Sequence, residues 1–413
     1  MKGAMSSKEY DNTDYLEAQL TLKDNPSVVD IVKLDEGRYL LFRSNGSPEE
    51  CGPVESLPIP WAIPMLADVE ASQDMPSEVM FERVRKYLAQ YSVMPLPEYF
   101  DLFTAWEFLS YVHDQFTHIP MLYFFGEQER GKSRTGKAIA WASFRGCLTD
   151  TENEAYALRL GPLGATVFVD VTDFTGKARK RGSVDIWHNR FEKGLDVFRV
   201  DSETPGLKGL RKYPNFGPTI IATNRAIDQT QASRGLLITP PLVVGKYPAP
   251  TEEAGLKIRA MLTAWRQRML DGGPEFPDID GCGTGRFEEI TRPIRQVTML
   301  VAPERIPQVD KALAHLHKAS QQLRAQGNEA NIVRAILSLG KTAVATTEDI
   351  QRAFLKVVDW QAGQGAYTTT WVGRQLAALG FEQTKIREDG EQRRGWKLDP
   401  KLLKDLRAKW LDD

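Results

Sequence analysis

Met121-Leu-Tyr-Phe-Phe-Gly-Glu-Gln-Glu-Arg-Gly-Lys-Ser133 begins as a short apolar run and ends in a glycine-bounded loop closed by lysine and serine. From Gly126 onward it fits G-x-x-x-x-G-K-[ST] in full. The apolar run reads as a buried strand and Lys132 opens a helix, which is the context a phosphate-binding loop needs. In such a loop the glycines allow a tight turn and successive backbone N–H groups point inward at phosphate oxygens. Gly126, Glu127, Gln128, Glu129, Arg130, Gly131, Lys132, Ser133 and Arg134 are therefore the candidate nucleotide-binding residues. Lys132 is placed to meet the β- and γ-phosphates of ATP, and the Ser133 hydroxyl to ligate Mg²⁺.

Outward from this stretch, helix and strand alternate. A helix is expected over 132–145, a buried strand at Ala165 to Val169, and further strands at Leu195 to Val200 and Thr219 to Thr223. That alternation predicts an α/β fold, a parallel sheet flanked by helices. The strand ending Thr166-Val-Phe-Val-Asp170 supplies the acidic residue that holds Mg²⁺ beside such a loop. A glutamate commonly follows it as the base that orients water, but Val171 stands there, which leaves Asp173 and Glu192 as candidates.

Gly217-Pro-Thr-Ile-Ile-Ala-Thr-Asn224 is an apolar run ending in a polar amide. In AAA+ ATPases that position senses the γ-phosphate, so Asn224 is a candidate catalytic residue. Ser233-Arg234-Gly235 resembles the Ser-Arg-Cys motif of clamp-loader ATPases, whose arginine acts on the neighbouring subunit's nucleotide. Arg234 would then make the working unit an oligomer. Arg286, or alternatively Arg292, is the candidate for a second arginine reaching the nucleotide from the helical segment.

Further residues point toward DNA. Between the strands before Asn224 lies a turn-rich insertion carrying Lys208, Arg211 and Lys212. Ring helicases of superfamily III and the minichromosome-maintenance type carry a basic-tipped hairpin there, gripping DNA phosphates. At the other end, a helix capped by Thr347, a helix from Trp371 to Leu379, and a strand pair around Asp389-Gly390 predict a winged helix. Its basic residues, Arg374, Arg387, Arg393, Arg394 and Lys397, are interleaved with acids, which suits protein or DNA contacts equally.

A chain of 413 residues is long enough for more than one core. The expected division is a small N-terminal segment (1–75), an ATPase core with preceding helices (76–250), a helical lid or connector (251–340) and the winged-helix domain (341–413). The prolines from Pro53 to Pro64 read as a linker. A net charge of −2 excludes a global basic field, so nucleic acid must be met by local patches. No apolar run is long enough to span a bilayer, and Cys51, Cys147 and Cys282 make no Cys-x-x-Cys pair. A cytoplasmic protein without a membrane partner is expected.

The string from Arg181 to Gly194, then Val197-Phe-Arg-Val200, then GPTIIATN, resembles AAA+ ATPases of phage, plasmid and integrative-element replication modules. These are related to superfamily III helicases and often accompany primase-polymerases. The resemblance runs from about residue 80 to 410, and in that group the second strand commonly ends Asp-Val. It implies a hexameric ring moving along single-stranded or forked DNA, with a primase-polymerase as a possible companion. A helicase loader, or an initiator using ATP as an assembly switch, is the alternative; an antiviral defence ATPase is a third.

Overall fold

The computed structural model describes residues 20–22, 28–35, 38–44, 49–53, 59–201, 203–204, 206–225, 229–242, 245–325, 327–340, 343–359, 367–388 and 391–411. The turn read at Asp389-Gly390 and all of residues 1–19 lie outside them. The chain forms two compact units, Met1–Leu316 and His317–Asp413.

The first unit opens with an antiparallel sheet, β1 (Val28–Asp35), β2 (Arg38–Arg43) and β3 (Glu49–Pro53). Its centre is a five-stranded parallel sheet of β4 (Met121–Phe125), β5 (Cys147–Thr149), β6 (Val167–Asp170), β9 (Thr219–Thr223) and β10 (Gly235–Ile238). Strands β7 (Val197–Val200) and β8 (Leu210–Tyr213) form a separate hairpin. The spatial order is β10-β4-β9-β6-β5, so β9 is inserted between the strand that feeds the glycine loop and the strand that ends in Asp170. With helices on both faces, this is the AAA+ arrangement of a P-loop α/β domain.

The sheet is buried on both faces, and its side chains alternate between two cores. Leu122, Phe124, Phe168, Ile220, Ala222, Leu236 and Ile238 enter the core built by the helices Ser77–Ala89, Tyr99–Val112, Lys132–Ala142 and Arg286–Val301. Met121, Tyr123, Val167, Val169, Ile221 and Leu237 enter the other, with Phe174, Ile186 and Trp187. Period-two alternation into two apolar layers explains why the strands read as unbroken apolar runs. Burying each large side chain stabilises by about 1.5–3 kcal/mol. The helix Lys132–Ala142 lies so close to β6 that a Cβ at Gly136 would meet the Phe168 ring at 2.3 Å.

The stretch read as a proline linker is packed. Trp61 is buried, and the Arg145 guanidinium lies 5.4 Å from its ring centroid. Arg145 also pairs with Asp30 of β1 at 2.9 Å, both fully buried, and donates to the Leu20 and Leu163 carbonyls. Arg266 donates to the Val28 and Val29 carbonyls. These bonds join the antiparallel sheet to the central unit.

The second unit has its own core of Ile332, Val333, Ile336, Ile350, Phe354, Val372, Leu376, Trp396 and Leu398. The helices Asn328–Ser338, Thr347–Val357 and Thr369–Ala378 accompany a three-stranded antiparallel sheet in the order β11 (Val344–Thr346), β13 (Glu391–Lys397), β12 (Gln383–Glu388), with β11 lying between the first and second helices in the chain. The helix over 347–357 is capped by Thr346, whose side chain accepts from the Asp349 N–H, and not by Thr347. Thr347 instead accepts the Trp396 indole N–H at 3.0 Å.

Candidate nucleotide site and its distant partners

A positive φ of 75° at Gly131 turns the chain from β4 into the helix Lys132–Ala142, a conformation only glycine adopts cheaply. The residues from Gln128 to Arg134 then line an open cleft of about 680 Å³ together with Asp170, Val171, Thr172 and Asn224. Gly126 and Glu127 start the loop without lining the cleft. The cleft lies beyond the carboxyl ends of β4, β9 and β6, where open α/β sheets bind ligands.

Register explains the convergence. Asp170 pairs with Ala222, and Phe125 with Thr223, so the ends of three adjacent strands come out side by side. The Asn224 N–H donates to the Thr172 carbonyl at 3.0 Å, which holds the amide next to the acidic strand end. Lys132 is buried and its ammonium donates to the Glu127 carbonyl across the loop. Burial holds that ammonium below lysine's ordinary range, Asp170 opposes the shift, and Arg130 adds to it. A polyanion entering the cleft would relieve that cost. A triphosphate with Mg²⁺ fits this donor set: backbone N–H groups, a desolvated lysine, a serine hydroxyl and one carboxylate.

Other expected site residues fall elsewhere. Asp173 does not line the cleft; it caps the helix Phe174–Arg181 by accepting the Gly176 N–H at 2.9 Å, and pairs with Arg225 at 3.4 Å. Its carboxylate, expected as a catalytic group, is thus engaged by a helix cap and an ion pair. Glu192 bridges His118, ahead of β4 and at the far end of the sheet.

Arg234 is also at that far end, where its carbonyl accepts the Met121 N–H at the start of β4. Its guanidinium lies 5.4 Å from the Phe191 ring centroid. Arg286 stacks on the same ring at the same distance. The Phe191 carbonyl accepts the Ile119 N–H at 2.9 Å. From Ile119 to Gly126 an extended chain covers roughly 20 Å, beyond the reach of an arginine side chain. Arg286, expected at the nucleotide, thus stands against Phe191 and away from this chain's own cleft. Its alternative, Arg292, is held by Glu288 at 2.8 Å.

In the hairpin β7–β8, Val197 and Tyr213 pack on the core and Arg199 pairs with Glu154 at 2.7 Å. Arg211 pairs with Asp201 and Lys212 with Asp196, so both are partly neutralised within the hairpin. Lys208 lies in the turn Gly206–Gly209, exposed beside Leu207, itself 87% exposed. Phe198, Val200 and Leu210 are exposed too. Phe191, inside the string from Arg181 to Gly194, and Thr172 were not singled out from sequence.

The sheet order and the cleft define a P-loop domain of AAA+ type. No protein-family model matches the chain, and no curated protein matches it in sequence. Among solved structures it is similar to the C-terminal region of NrS-1, at 13% identity over 88% of this chain and 82% of that one, with a TM-score of 0.32. It is similar to SCCmec type IV Cch, described as an active helicase, at 11% identity over 89% and 78%, with a TM-score of 0.34. JCV helicase matches at 13% identity over 50% and 70%, with a TM-score of 0.26. Likeness of that extent carries no argument here, and the class rests on the chain's own sheet and cleft. Among the described residues no helix is long and apolar enough to cross a membrane.

Proposed function

We propose that this chain is an ATP-driven DNA motor, a replicative helicase of a mobile genetic element that works as a homo-oligomeric, hexameric ring on single-stranded or forked DNA. One observation carries the reading: Lys132, Asp170 and Asn224 share a cleft, while Arg234 lies at the other end of the same sheet. An arginine finger placed there serves only a neighbour's cleft, and a ring supplies one neighbour to every cleft.

In this reading the loop amides and Lys132 hold the triphosphate, and Ser133 and Asp170 hold Mg²⁺. When bound, the ion neutralises phosphate charge and orients the terminal phosphoryl group. Asn224 orients the attacking water, and the neighbour's Arg234 stabilises charge on the transferred group. Lys208 meets DNA phosphate from the exposed hairpin, with Arg211 and Lys212 behind it. The second unit, read as a winged helix, is the candidate surface for DNA or for a primase-polymerase.

A second reading, a helicase loader or initiator using ATP as an assembly switch, is favoured by Asp173, the nearest acid after Asp170, serving as a helix cap. Slow turnover suits a switch. The test is ATP hydrolysis with and without single-stranded DNA, alongside strand separation on a fork, at low and moderate salt. A motor is stimulated by DNA and separates strands, and Lys208→Ala lowers the stimulation while leaving the DNA-free rate unchanged. Weak hydrolysis indifferent to DNA, with no strand separation, would sink the motor and leave the switch.

A further inference from the structure

The phosphate-binding loop carries a carboxylate where its backbone favours glycine. The chain enters positive φ at Gly126 (134°), at Glu129 (65°) and at Gly131 (75°). Glycine takes up that region freely, whereas a residue with a side chain is held there at a cost. Such residues persist only where the surrounding structure fixes them, and they cluster at functional sites.

Glu129 is also the one anion of the cleft that nothing offsets. The charged residues lining the cleft are Glu129, Arg130, Lys132, Arg134 and Asp170. Asp170 interacts with the Lys132 ammonium and, in the reading above, with Mg²⁺. Glu127, the other acid of the loop, lies outside the cleft lining and sits 3.8 Å from Arg130. Arg130 also donates to the Pro240 carbonyl at 3.1 Å, so its charge is engaged outside the cleft. Glu129 is exposed, and among the described residues no hydrogen bond or ion pair reaches its carboxylate. A nucleotide cradled by the loop therefore meets a free like charge, and the two repel through partly screening solvent.

We infer that Glu129 sets how long the cleft retains nucleotide, its charge shortening the stay of ADP once the terminal phosphate has gone. This rests on the nucleotide-site reading above. The effect falls on dissociation, because variants of one site differ mostly in koff. Product release limits turnover in many enzymes, so the loop residue would bear on stepping rate without touching the chemistry. A cleft that sheds ADP suits a motor, which must empty each site to advance. It works against an assembly switch, which must keep its nucleotide.

The test is stopped-flow release of a fluorescent ADP analogue from the full chain with Mg²⁺ present, chased by excess unlabelled ADP. Glu129→Gln removes the charge alone. Glu129→Gly removes the charge and the backbone cost together, so loop strain cannot account for its behaviour. Release should slow by about tenfold or more in both variants, and Glu129→Asp should stay within about threefold of wild type. Raising salt from about 0.05 to about 0.5 M should narrow the gap between wild type and Glu129→Gln, which a purely structural role of Glu129 would leave unchanged.

Unchanged release in both variants at low salt, or slowing in only one of them, overturns the inference. So does a Glu129→Gln chain that releases ADP normally but hydrolyses ATP a hundredfold more slowly, since Glu129 would then belong to the chemical step. A wild-type chain that binds the analogue no better than Lys132→Ala overturns the nucleotide site, and the inference with it.

Discussion

The two ends of the central sheet are built by different means. At the carboxyl end of β4 the site is made from backbone: a glycine loop, a helix start and adjacent strand ends whose register brings Asp170 and Asn224 beside Lys132. At the amino end the work is done by side chains. Arg190 is fully buried and donates to the Thr219 hydroxyl and to the Ala157, Asn215 and Ala165 carbonyls. Arg145, Arg259 and Arg266 donate to carbonyls of other segments, and Arg234 and Arg286 share Phe191. Backbone geometry is local and repeatable, whereas these arginine contacts join segments far apart in sequence. One end is an open cleft around a buried lysine, the other a set of arginines that tie distant segments together.

The sharpest way to separate the two ends is to disable each and compare. Lys132→Ala should remove hydrolysis altogether and weaken nucleotide binding, because the cleft loses its desolvated ammonium. Arg234→Ala should lower kcat by about 10³-fold or more while nucleotide affinity stays within roughly tenfold. Equilibrium binding of a fluorescent ATP analogue beside steady-state turnover distinguishes them. If Arg234→Ala weakens binding as much as Lys132→Ala does, the finger reading of the far end fails.

That contrast also accounts for what was legible in the sequence. The α/β class, the strands Met121–Phe125 and Thr219–Thr223, and the loop between Gly126 and Ser133 could be read because apolar runs and glycine spacing are local signals. β5 and β10 were not, since strands of three or four residues, only two or three of them apolar, suit a strand or a buried helix turn equally. β1 was missed although Val28-Val-Asp-Ile-Val carries five buried residues, because Asp30 interrupts the run. That aspartate is buried only by virtue of Arg145, 115 residues later. The pairing of Arg234 with Arg286 has no sequence trace, because it depends on where Phe191 is folded.

The far end should also respond to acid. His113 is buried against Phe144 and Phe216, just ahead of β5 and β9. Burial pushes its imidazole down to about 4, with Arg266 and Arg190 adding to the shift and Asp114 opposing it. A folded value below the ordinary 6.5 means the neutral ring is favoured in the folded state. Its contribution is complete above 6.5 and is lost as pH falls toward 4, in total about 3 kcal/mol. Urea midpoints at pH 7 and pH 4.5 should therefore differ more for wild type than for His113→Gln. Equal midpoint differences in the two proteins would mean that His113 is not held neutral.

The smallest expected effect tests the margin of the cleft. Asp173 follows Val171 and Thr172, close enough in sequence to the cleft that a base role is the natural alternative to the cap. As a cap it accepts the Gly176 N–H, and removing such a cap costs about 1 kcal/mol. Its pair with Arg225, whose side chain is 75% exposed, adds little. Asp173→Ser keeps a capping oxygen and removes the carboxylate, so it should be more stable than Asp173→Ala. Both should hydrolyse ATP within about threefold of wild type, since removing a true general base costs 10²-fold or more. A serine variant that melts normally but loses turnover a hundredfold would return Asp173 to the reaction and place the base on the acidic strand after all.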